Sequence, residues 1–161
     1  MIVHPIKPFY DADSRILILG SFPSVMSRET GFFYGHPRNR FWALLAGLTG
    51  EETPESIADK KRFLKQHHIA LWDVIASCDI TGSSDASIKN VVPNDLSPIL
   101  ETAEIRRIYV NGGTASRLYE KYLYPLNERD WVKLPSTSPA NAAWSLERLA
   151  GSWKRILEDL S

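Results

Sequence analysis

The hydrophobic positions of this chain fall into short unbroken runs separated by longer stretches in which apolar and polar residues alternate with a helical period. The unbroken runs predict strands that are buried on both faces of a sheet. The amphipathic stretches between them predict helices, because their apolar residues recur every three or four positions. We expect strands over residues 15–20, 69–75, 105–110 and 131–134.

The helices are bounded by capping residues and by glycine or proline. Residues 76–93 show no clear period and predict a long loop, with Asn94 capping the helix that follows. The first expected helix starts near Pro37 and ends at 47–50, and the second starts at 53–55. The third follows Asn94, and the fourth follows the Asn111-Gly112-Gly113 turn. The last helix closes the chain, and its apolar side consists of Leu149, Trp153, Ile156, Leu157 and Leu160.

Strands that alternate with helices predict an α/β fold built from βαβ units. We expect a three-layer α/β/α sandwich around a short, mostly parallel sheet of four strands, forming a single domain over residues 1–161. In such sheets ligands bind beyond the carboxyl ends of the strands. Segments 20–24, 73–77, 111–113 and 136–141 all follow strand ends, so we expect them to converge on one edge.

The amino-acid composition excludes some classes of protein but does not indicate a function. The 19 basic and 19 acidic side chains cancel, which neither indicates nor excludes a nucleic-acid partner. The single cysteine, Cys78, excludes an intramolecular disulfide and a cluster with four cysteine ligands, and favours a reducing, cytoplasmic location. No apolar run is long enough to span a membrane, and the His67-His68 pair lacks the spacing of a metal site. We expect no bound metal or cofactor, no association with a membrane and no obligate protein partner.

Two short segments at opposite ends of the chain are candidates for chemistry. Gly20-Ser-Phe-Pro-Ser24 is a tight turn after a strand, where glycine allows close backbone approach to a ligand. Leu134-Pro-Ser-Thr-Ser-Pro-Ala-Asn141 is a second turn of small, hydroxyl-rich residues. Each also has a purely structural interpretation: the first as an ordinary strand-to-helix connection, the second as an N-cap provided by Ser138 or Asn141.

Together, and in this order, the two segments resemble the paired signature motifs of the uracil-DNA glycosylase superfamily. The resemblance extends to Ile69-Ala-Leu-Trp-Asp-Val74 and Val110-Asn-Gly-Gly-Thr-Ala115, and so covers most of the chain. It implies an enzyme that acts on DNA bases, with the second motif feeding a loop that probes the minor groove.

The chain departs from the superfamily pattern at two positions. Phe22 stands where relatives place the Asn or Asp that manages the attacking water, and Ser136 stands where they have His or Asn. This combination resembles the hypoxanthine-DNA glycosylase branch, in which a Tyr-x-His-Pro-x-Asn-x-Phe-Trp segment supplies the asparagine instead. The matching segment is Tyr34 to Trp42, and the resemblance implies that Asn39 is the catalytic residue.

Elementary chemistry is compatible with that role. Hydrolysis of an N-glycosidic bond develops oxocarbenium character on the sugar and negative charge on the departing base, so it needs a positioned water and dipoles that face the base. Asn39 is expected in the first turn of a helix, where unpaired N–H groups favour an anion. The structural alternative is that Asn39 only caps this helix.

The remaining candidates would hold the base or the DNA. Phe22 and Tyr34 are expected to stack on a flipped base, as enzymes that act on bases require, and Asp73 to accept a hydrogen bond from hypoxanthine N1–H or to cap a turn. Phe33 is assigned to the core. The other expected substrate-binding residues are Gly20, Ser21, Pro23, Ser136 and Ser138, and the expected DNA-binding residues are Arg38, Arg40, Thr137 and Asn141.

The sequence thus predicts a monofunctional glycosylase that removes deaminated bases, chiefly hypoxanthine, from double- or single-stranded DNA and leaves an abasic site. Three alternatives stay open: a uracil or mismatch glycosylase, a module of the same fold that binds damaged bases without cutting, and an unrelated small-molecule hydrolase.

Overall fold

Two β-sheets organise the chain in the computed structural model, which describes all 161 residues. The strands are β1 (Ile2–Val3), β2 (Ile16–Gly20), β3 (Ile69–Asp73), β4 (Ile75–Asp79), β5 (Lys89–Pro93), β6 (Arg107–Asn111) and β7 (Trp131–Leu134). The helices are α1 (Val25–Thr30), α2 (Phe41–Thr49), α3 (Ile57–Gln66), α4 (Ser97–Thr102), α5 (Gly113–Tyr122), α6 (Tyr124–Asn127), α7 (Leu146–Trp153) and α8 (Ile156–Leu160). None of these helices combines the length and the apolarity needed to cross a bilayer.

The larger sheet has the strand order β3-β2-β6-β7, and all its strand pairs are parallel. Strand β2 lies inside it, and all five of its residues are buried. Ile16 and Ile18 enter one hydrophobic cluster, whereas Leu17 and Leu19 enter another, because successive side chains of a strand point to opposite faces. The predicted four-stranded parallel sheet is confirmed.

Helices cover both faces of this sheet. Helices α2, α3, α7 and α8 contribute to the cluster that holds Ile16 and Ile18, while α4 and α5 contribute to the opposite cluster. Trp153 of α7 and Tyr119 of α5 are among the largest fully buried side chains, one on each side. The three-layer α/β/α arrangement is therefore also confirmed.

The prediction of a long loop over residues 76–93 is wrong. This region contains β4 and β5, which form a three-stranded antiparallel sheet with β1. The error has a physical reason: β5 is largely exposed and its pairing with β4 is irregular, so no clear alternation of apolar residues marks it. Asn94 is not a helix cap either. Its buried Nδ2 donates to the carbonyl oxygens of Asp73 (2.9 Å) and Ile75 (3.1 Å) and fixes the break between β3 and β4.

Several helix boundaries also differ from the prediction. Helix α2 begins at Phe41 rather than near Pro37, and α3 is capped by Ser56 rather than starting at 53–55. The closing helix is divided into α7 and α8, with Ser145 as the N-cap of α7 instead of Ser138 or Asn141. Helix α1, which was not predicted, is a short helix capped by Ser24. The starts of α1, α3 and α7 are set by serine hydroxyl oxygens that accept a hydrogen bond from a backbone N–H, as expected for N-caps.

Candidate active site

The carboxyl ends of the parallel strands meet around one cavity of about 100 Å³. Gly20, Asp73 and Asn111 are the last residues of β2, β3 and β6, and the segment after β7 closes the remaining side. The lining residues are Gly20, Ser21, Phe22, Pro23, Ser24, Ser27, Phe33, Tyr34, Asn39, Asp73, Asp85, Asn111, Ser136, Thr137 and Ser138. Residues from both candidate motifs and from the Tyr34–Trp42 segment thus share one cavity.

Gly20 occupies a position where a side chain does not fit. A Cβ atom built on Gly20 would lie 2.6 Å from Asp73 Oδ1 and 3.1 Å from the Tyr34 hydroxyl oxygen. The parallel register places Gly20 directly beside Asp73. The missing side chain therefore creates the space in which these two oxygen atoms approach the β2 backbone.

The Asp73 carboxylate is held by a histidine from the amino-terminal segment. His4 Nε2 lies 2.7 Å from Asp73 Oδ2, and the exposed fractions of the two side chains are only 4% and 6%. The backbone N–H of Ile6 donates to His4 Nδ1 at 3.1 Å, so Nδ1 carries no proton and Nε2–H is the donor to Asp73. Sequence reasoning missed His4, because no pattern connects it to a residue so far along the chain.

Tyr34 combines an unusual backbone with a hydroxyl that has no partner. Its φ is +52°, which is uncommon for a bulky residue, and its ring stacks on Phe41 at 4.0 Å between centroids. The hydroxyl is buried without a hydrogen bond in the protein. Burial first, and the Asp73 carboxylate second, raise the pKa of Tyr34 well above its ordinary value, while the neighbouring Asn111 side chain opposes the shift. The hydroxyl therefore remains protonated and is available as a donor.

The aromatic wall of the cavity includes Phe22 and Phe33 as well as Tyr34. Phe22 is 9% exposed and meets the His4 ring edge-on at 5.7 Å. Phe33 is almost fully buried and packs in the core, as expected, although its edge reaches the cavity. Phe41 covers one face of Tyr34, so at most the opposite face is free to stack on a ligand.

Asn39 lines the cavity but precedes helix α2 rather than lying in its first turn. Its Oδ1 accepts a hydrogen bond from the N–H of Phe41 at 3.0 Å, and its Nδ2 has no partner within the protein. An amide oxygen has a second lone pair, so this bond fixes the orientation of the side chain without using all of its polar capacity. The capping and the catalytic interpretations of Asn39 are therefore compatible.

Arg40 connects the two sides of the site through hydrogen bonds within the protein. Its guanidinium group donates to the carbonyl oxygens of Ser138 (3.0 Å), Asn141 (3.1 Å) and Trp144. Its backbone N–H donates to the carbonyl oxygen of Thr137. Three of the five guanidinium N–H donors of Arg40 therefore hold the segment of residues 136–144, and the expectation that Arg40 contacts DNA phosphates stays a prediction.

Two other expected DNA contacts also serve inside the protein. Thr137 is fully buried; its Oγ1 accepts from Asn111 Nδ2 (3.0 Å) and its N–H donates to Asn111 Oδ1 (3.1 Å). Asn141 Nδ2 donates to the carbonyl oxygen of Ser136 at 3.0 Å. Both side chains therefore fix the segment 136–144; Thr137 has no group free for a phosphate, whereas Asn141 keeps a second Nδ2 hydrogen. Asn111 lies in a segment that was expected at this edge but was not assigned a role by the sequence prediction.

The remaining candidates stay at the cavity or on the surface near it. Ser136 Oγ accepts from the N–H of Ser138, and Ser138 Oγ accepts from that of Ala140, so both hydroxyl hydrogens remain free. Arg38 is exposed, and its side chain makes no hydrogen bond or ion pair within the protein; only its backbone N–H is bonded, to His36 Nδ1. Of the two arginines beside Asn39, Arg38 is thus the one free to bind an anion.

Asp85 is a further lining residue, and no pattern in the sequence pointed to it. It lies in a 3-10 turn within the region predicted as a loop, and Ser21 Oγ donates to its Oδ1 at 3.3 Å. Partial burial raises the pKa of the Asp85 carboxyl, opposed by Ser21, Thr114 and Arg117. The structure contains no group of three or more His, Cys, Asp or Glu side chains arranged to hold a metal ion.

Comparison with known proteins identifies the family of the chain. The model of the uracil DNA glycosylase superfamily matches residues 7–161. A protein named hypoxanthine DNA glycosylase from Methanosarcina acetivorans is 35% identical over 158 residues, which are 97% of this chain and 98% of that protein. One of the same name from Methanosarcina barkeri is 34% identical over 148 residues, covering 91% and 92%. The solution NMR structure of a Methanosarcina acetivorans protein superposes with a TM-score of 0.84, at 34% identity and 99% coverage of both chains.

Proposed function

Because the chain belongs to the uracil-DNA glycosylase superfamily, we propose that it is a monofunctional DNA glycosylase that hydrolyses the N-glycosidic bond of hypoxanthine in DNA. Two relatives that match it over more than nine-tenths of both chains carry the name hypoxanthine DNA glycosylase. The observation that carries the proposal is the position of Asn39, which lines the same cavity as Phe22, Asp73 and the turn at Ser136.

In the proposed reaction Asn39 positions the attacking water. The bond between the purine nitrogen and the sugar breaks as the base takes its electron pair, the water oxygen bonds to the sugar carbon, and a water proton ends on the base. Asn39 is suited to this step because the Phe41 N–H fixes its amide plane while Nδ2 and one oxygen lone pair stay free. An asparagine does not act as a strong base, so the electrophilic, oxocarbenium-like sugar drives the attack.

The product is an abasic site with an intact strand. Cleavage of the strand through a Schiff base requires an amine nucleophile, and none of the residues that line the cavity is a lysine. The residues that line the cavity therefore support hydrolysis.

The substrate reaches the cavity as a base flipped out of DNA, since the reacting bond is not accessible within a stacked duplex. A larger groove, which shares Asp85, Asn111 and Ser136 with the cavity, continues past the amino-terminal end of α5 and Lys133. The exposed Arg38 lies on the Asn39 side. We propose that the DNA backbone binds along this surface, with Arg38 and Lys133 as phosphate contacts. We also propose that the enzyme acts on DNA in the cytoplasm.

The direct test is incubation with labelled single strands and duplexes that contain deoxyinosine, deoxyuridine or deoxyxanthosine, followed by alkaline cleavage of abasic sites. We expect product from deoxyinosine, and loss of about a hundredfold or more in the single-turnover rate for Asn39→Ala, with DNA binding retained. Product chiefly from deoxyuridine would assign the enzyme to uracil instead. Binding without product from any base would identify a sensor module and contradict the proposal.

A matched control separates catalysis from helix capping. Asn39→Ala also removes the acceptor for the Phe41 N–H. Ser56→Ala removes a comparable cap from α3, where Ser56 Oγ accepts from the Asp59 N–H at 3.0 Å, and Ser56 is not among the residues that line the cavity. Both variants should lose a similar stability, about 1 kcal/mol, but only Asn39→Ala should lose activity. Equal activity in the two variants would remove Asn39 from the mechanism.

A further inference from the structure

The hydroxyl group of Tyr34 is a buried hydrogen-bond donor whose bonding is incomplete. The hydroxyl is buried and has no hydrogen-bond partner in the protein, and Tyr34 is one of the residues that line the cavity. The ring cannot easily turn away, because it stacks on Phe41 and the backbone is held at a positive φ. A fixed, desolvated donor without an acceptor is costly, so an acceptor on a bound molecule would complete its bonding.

The Asp73 carboxylate lies near this donor without forming a hydrogen bond to it. Asp73 Oδ1 and the Tyr34 hydroxyl both lie next to the position that a Gly20 side chain would fill. The other carboxylate oxygen, Oδ2, receives the hydrogen bond from His4 Nε2–H. Since the Ile6 N–H occupies Nδ1, the imidazole ring has no alternative tautomer that keeps both bonds. His4 therefore holds Asp73 in place and leaves Oδ1 as a pure acceptor.

A donor O–H next to a carboxylate acceptor is complementary to a carbonyl next to a ring N–H. Hypoxanthine carries this pair as O6 and N1–H. Adenine carries the opposite pair, an amino group at position 6 and a lone pair on N1, and would place that lone pair against the carboxylate. Deamination of adenine changes these two positions and no others on that edge.

We propose that the Tyr34 hydroxyl and Asp73 Oδ1 together read the O6 and N1–H edge of hypoxanthine, and that His4 is the positioning residue that makes Asp73 an obligate acceptor. This inference rests on the proposed function and extends it, because it assigns the discrimination between hypoxanthine and adenine to a donor–acceptor pair supported by the amino-terminal segment.

The test compares two duplexes that differ only in this edge. One contains hypoxanthine and the other contains unsubstituted purine, which has neither O6 nor N1–H, each on a 2′-fluoroarabino sugar that resists hydrolysis. We expect the protein to bind the hypoxanthine duplex about tenfold or more tightly than the purine duplex. Tyr34→Phe removes only the hydroxyl and keeps the stack on Phe41, and should reduce this preference to less than about threefold.

The His4 variants test positioning. His4→Leu should reduce the preference in the same way, whereas His4→Gln should restore most of it, because an amide N–H can donate to Asp73. Tyr119→Phe is the matched control: its hydroxyl is also buried without a partner but lies away from the cavity. This variant should keep the full preference. If His4→Leu does not fold, Tyr34→Phe tests the inference alone.

The outcomes distinguish this inference from the proposed function. A protein that releases hypoxanthine from deoxyinosine, but whose preference is unchanged in Tyr34→Phe or absent in the unaltered chain, is a glycosylase that reads the base by other groups, and the inference is then wrong. A protein that cuts no base contradicts the proposed function, and the binding preference then reports on the pocket by itself.

Discussion

Replacing Arg40 with alanine removes the hydrogen bonds that connect the start of α2 to the segment 136–144. Three carbonyl oxygens lose a charged donor, those of Ser138, Asn141 and Trp144. A hydrogen bond from a charged donor contributes about 1.5 kcal/mol or more net, but water can replace the arginine at the more exposed of these carbonyls. We therefore expect Arg40→Ala to lower the free energy of unfolding by about 2 kcal/mol, which corresponds to a fall in Tm of roughly 4–8 °C for a domain of this size.

Arg38→Ala provides the matched comparison two residues away. The Arg38 side chain is exposed and makes no bond within the protein, so its removal should change stability by less than about 0.5 kcal/mol. It should instead reduce the salt dependence of DNA binding: the slope of log K against log salt should become shallower by about 0.9, the value for one phosphate contact. Arg40→Ala should weaken binding without changing this slope.

Thermal unfolding and DNA titrations at several salt concentrations measure both effects. Amide hydrogen exchange adds a local check, because only Arg40→Ala should accelerate exchange in the segment 136–144. A variant Arg40→Ala with an unchanged Tm and a slope shallower by about 0.9 would refute the assignment of Arg40 as an internal clamp and return it to the DNA surface.

Two further predictions concern Gly20 and the buried tyrosines. Gly20→Ala forces a Cβ against Asp73 Oδ1 at 2.6 Å, so this variant should lose most base-excision activity and about 1–3 kcal/mol of stability. In the control Gly47→Ala nothing lies within 4 Å of the Cβ, so this variant should keep its activity and be at least as stable as the parent. Equal activity in both variants would show that the structure around Gly20 adapts to a side chain without loss of function. Burial raises the pKa of Tyr34, and burial with a hydrogen bond to Asp159 raises the pKa of Tyr109. The unfolded chain therefore ionises these groups first, near pH ~10, and stability should fall as pH rises above that value. Urea unfolding across this range should show the fall, and Tyr34→Phe should show a smaller one; an equal pH dependence in the two proteins would contradict the assignment for Tyr34.

The strands of the parallel sheet were predictable because a strand buried on both faces is apolar at consecutive positions. Ile16 to Leu19 is apolar at every position, and the structure places these side chains alternately on the two faces of the sheet. The convergence of the strand ends also followed from the fold class alone. Local pattern was therefore sufficient wherever a segment is buried by its own composition.

The contacts that depend on distant partners could not be predicted in this way. His4 reaches Asp73 only through the pairing of β1 with β4, and neither strand has a clear apolar pattern. Arg38 and Arg40 are equivalent in the sequence; only the packing of the segment 136–144 against Arg40 separates an internal clamp from a free cation. Thr137 differs from the serines beside it because it alone meets Asn111.

The order in which the chain can build this cavity follows from the parallel sheet. Residue 16 pairs with 107 as well as with 69, and the side beyond β6 is closed only after residue 134. Pairings between such distant residues form slowly, because a long loop must be ordered before any contact compensates for it. A partly folded chain that lacks β7 would have neither the turn at Ser136 nor the bonds between Thr137 and Asn111. Recovery of activity during refolding should therefore coincide with completion of the whole sheet, so that catalysis itself becomes a probe of the last folding step.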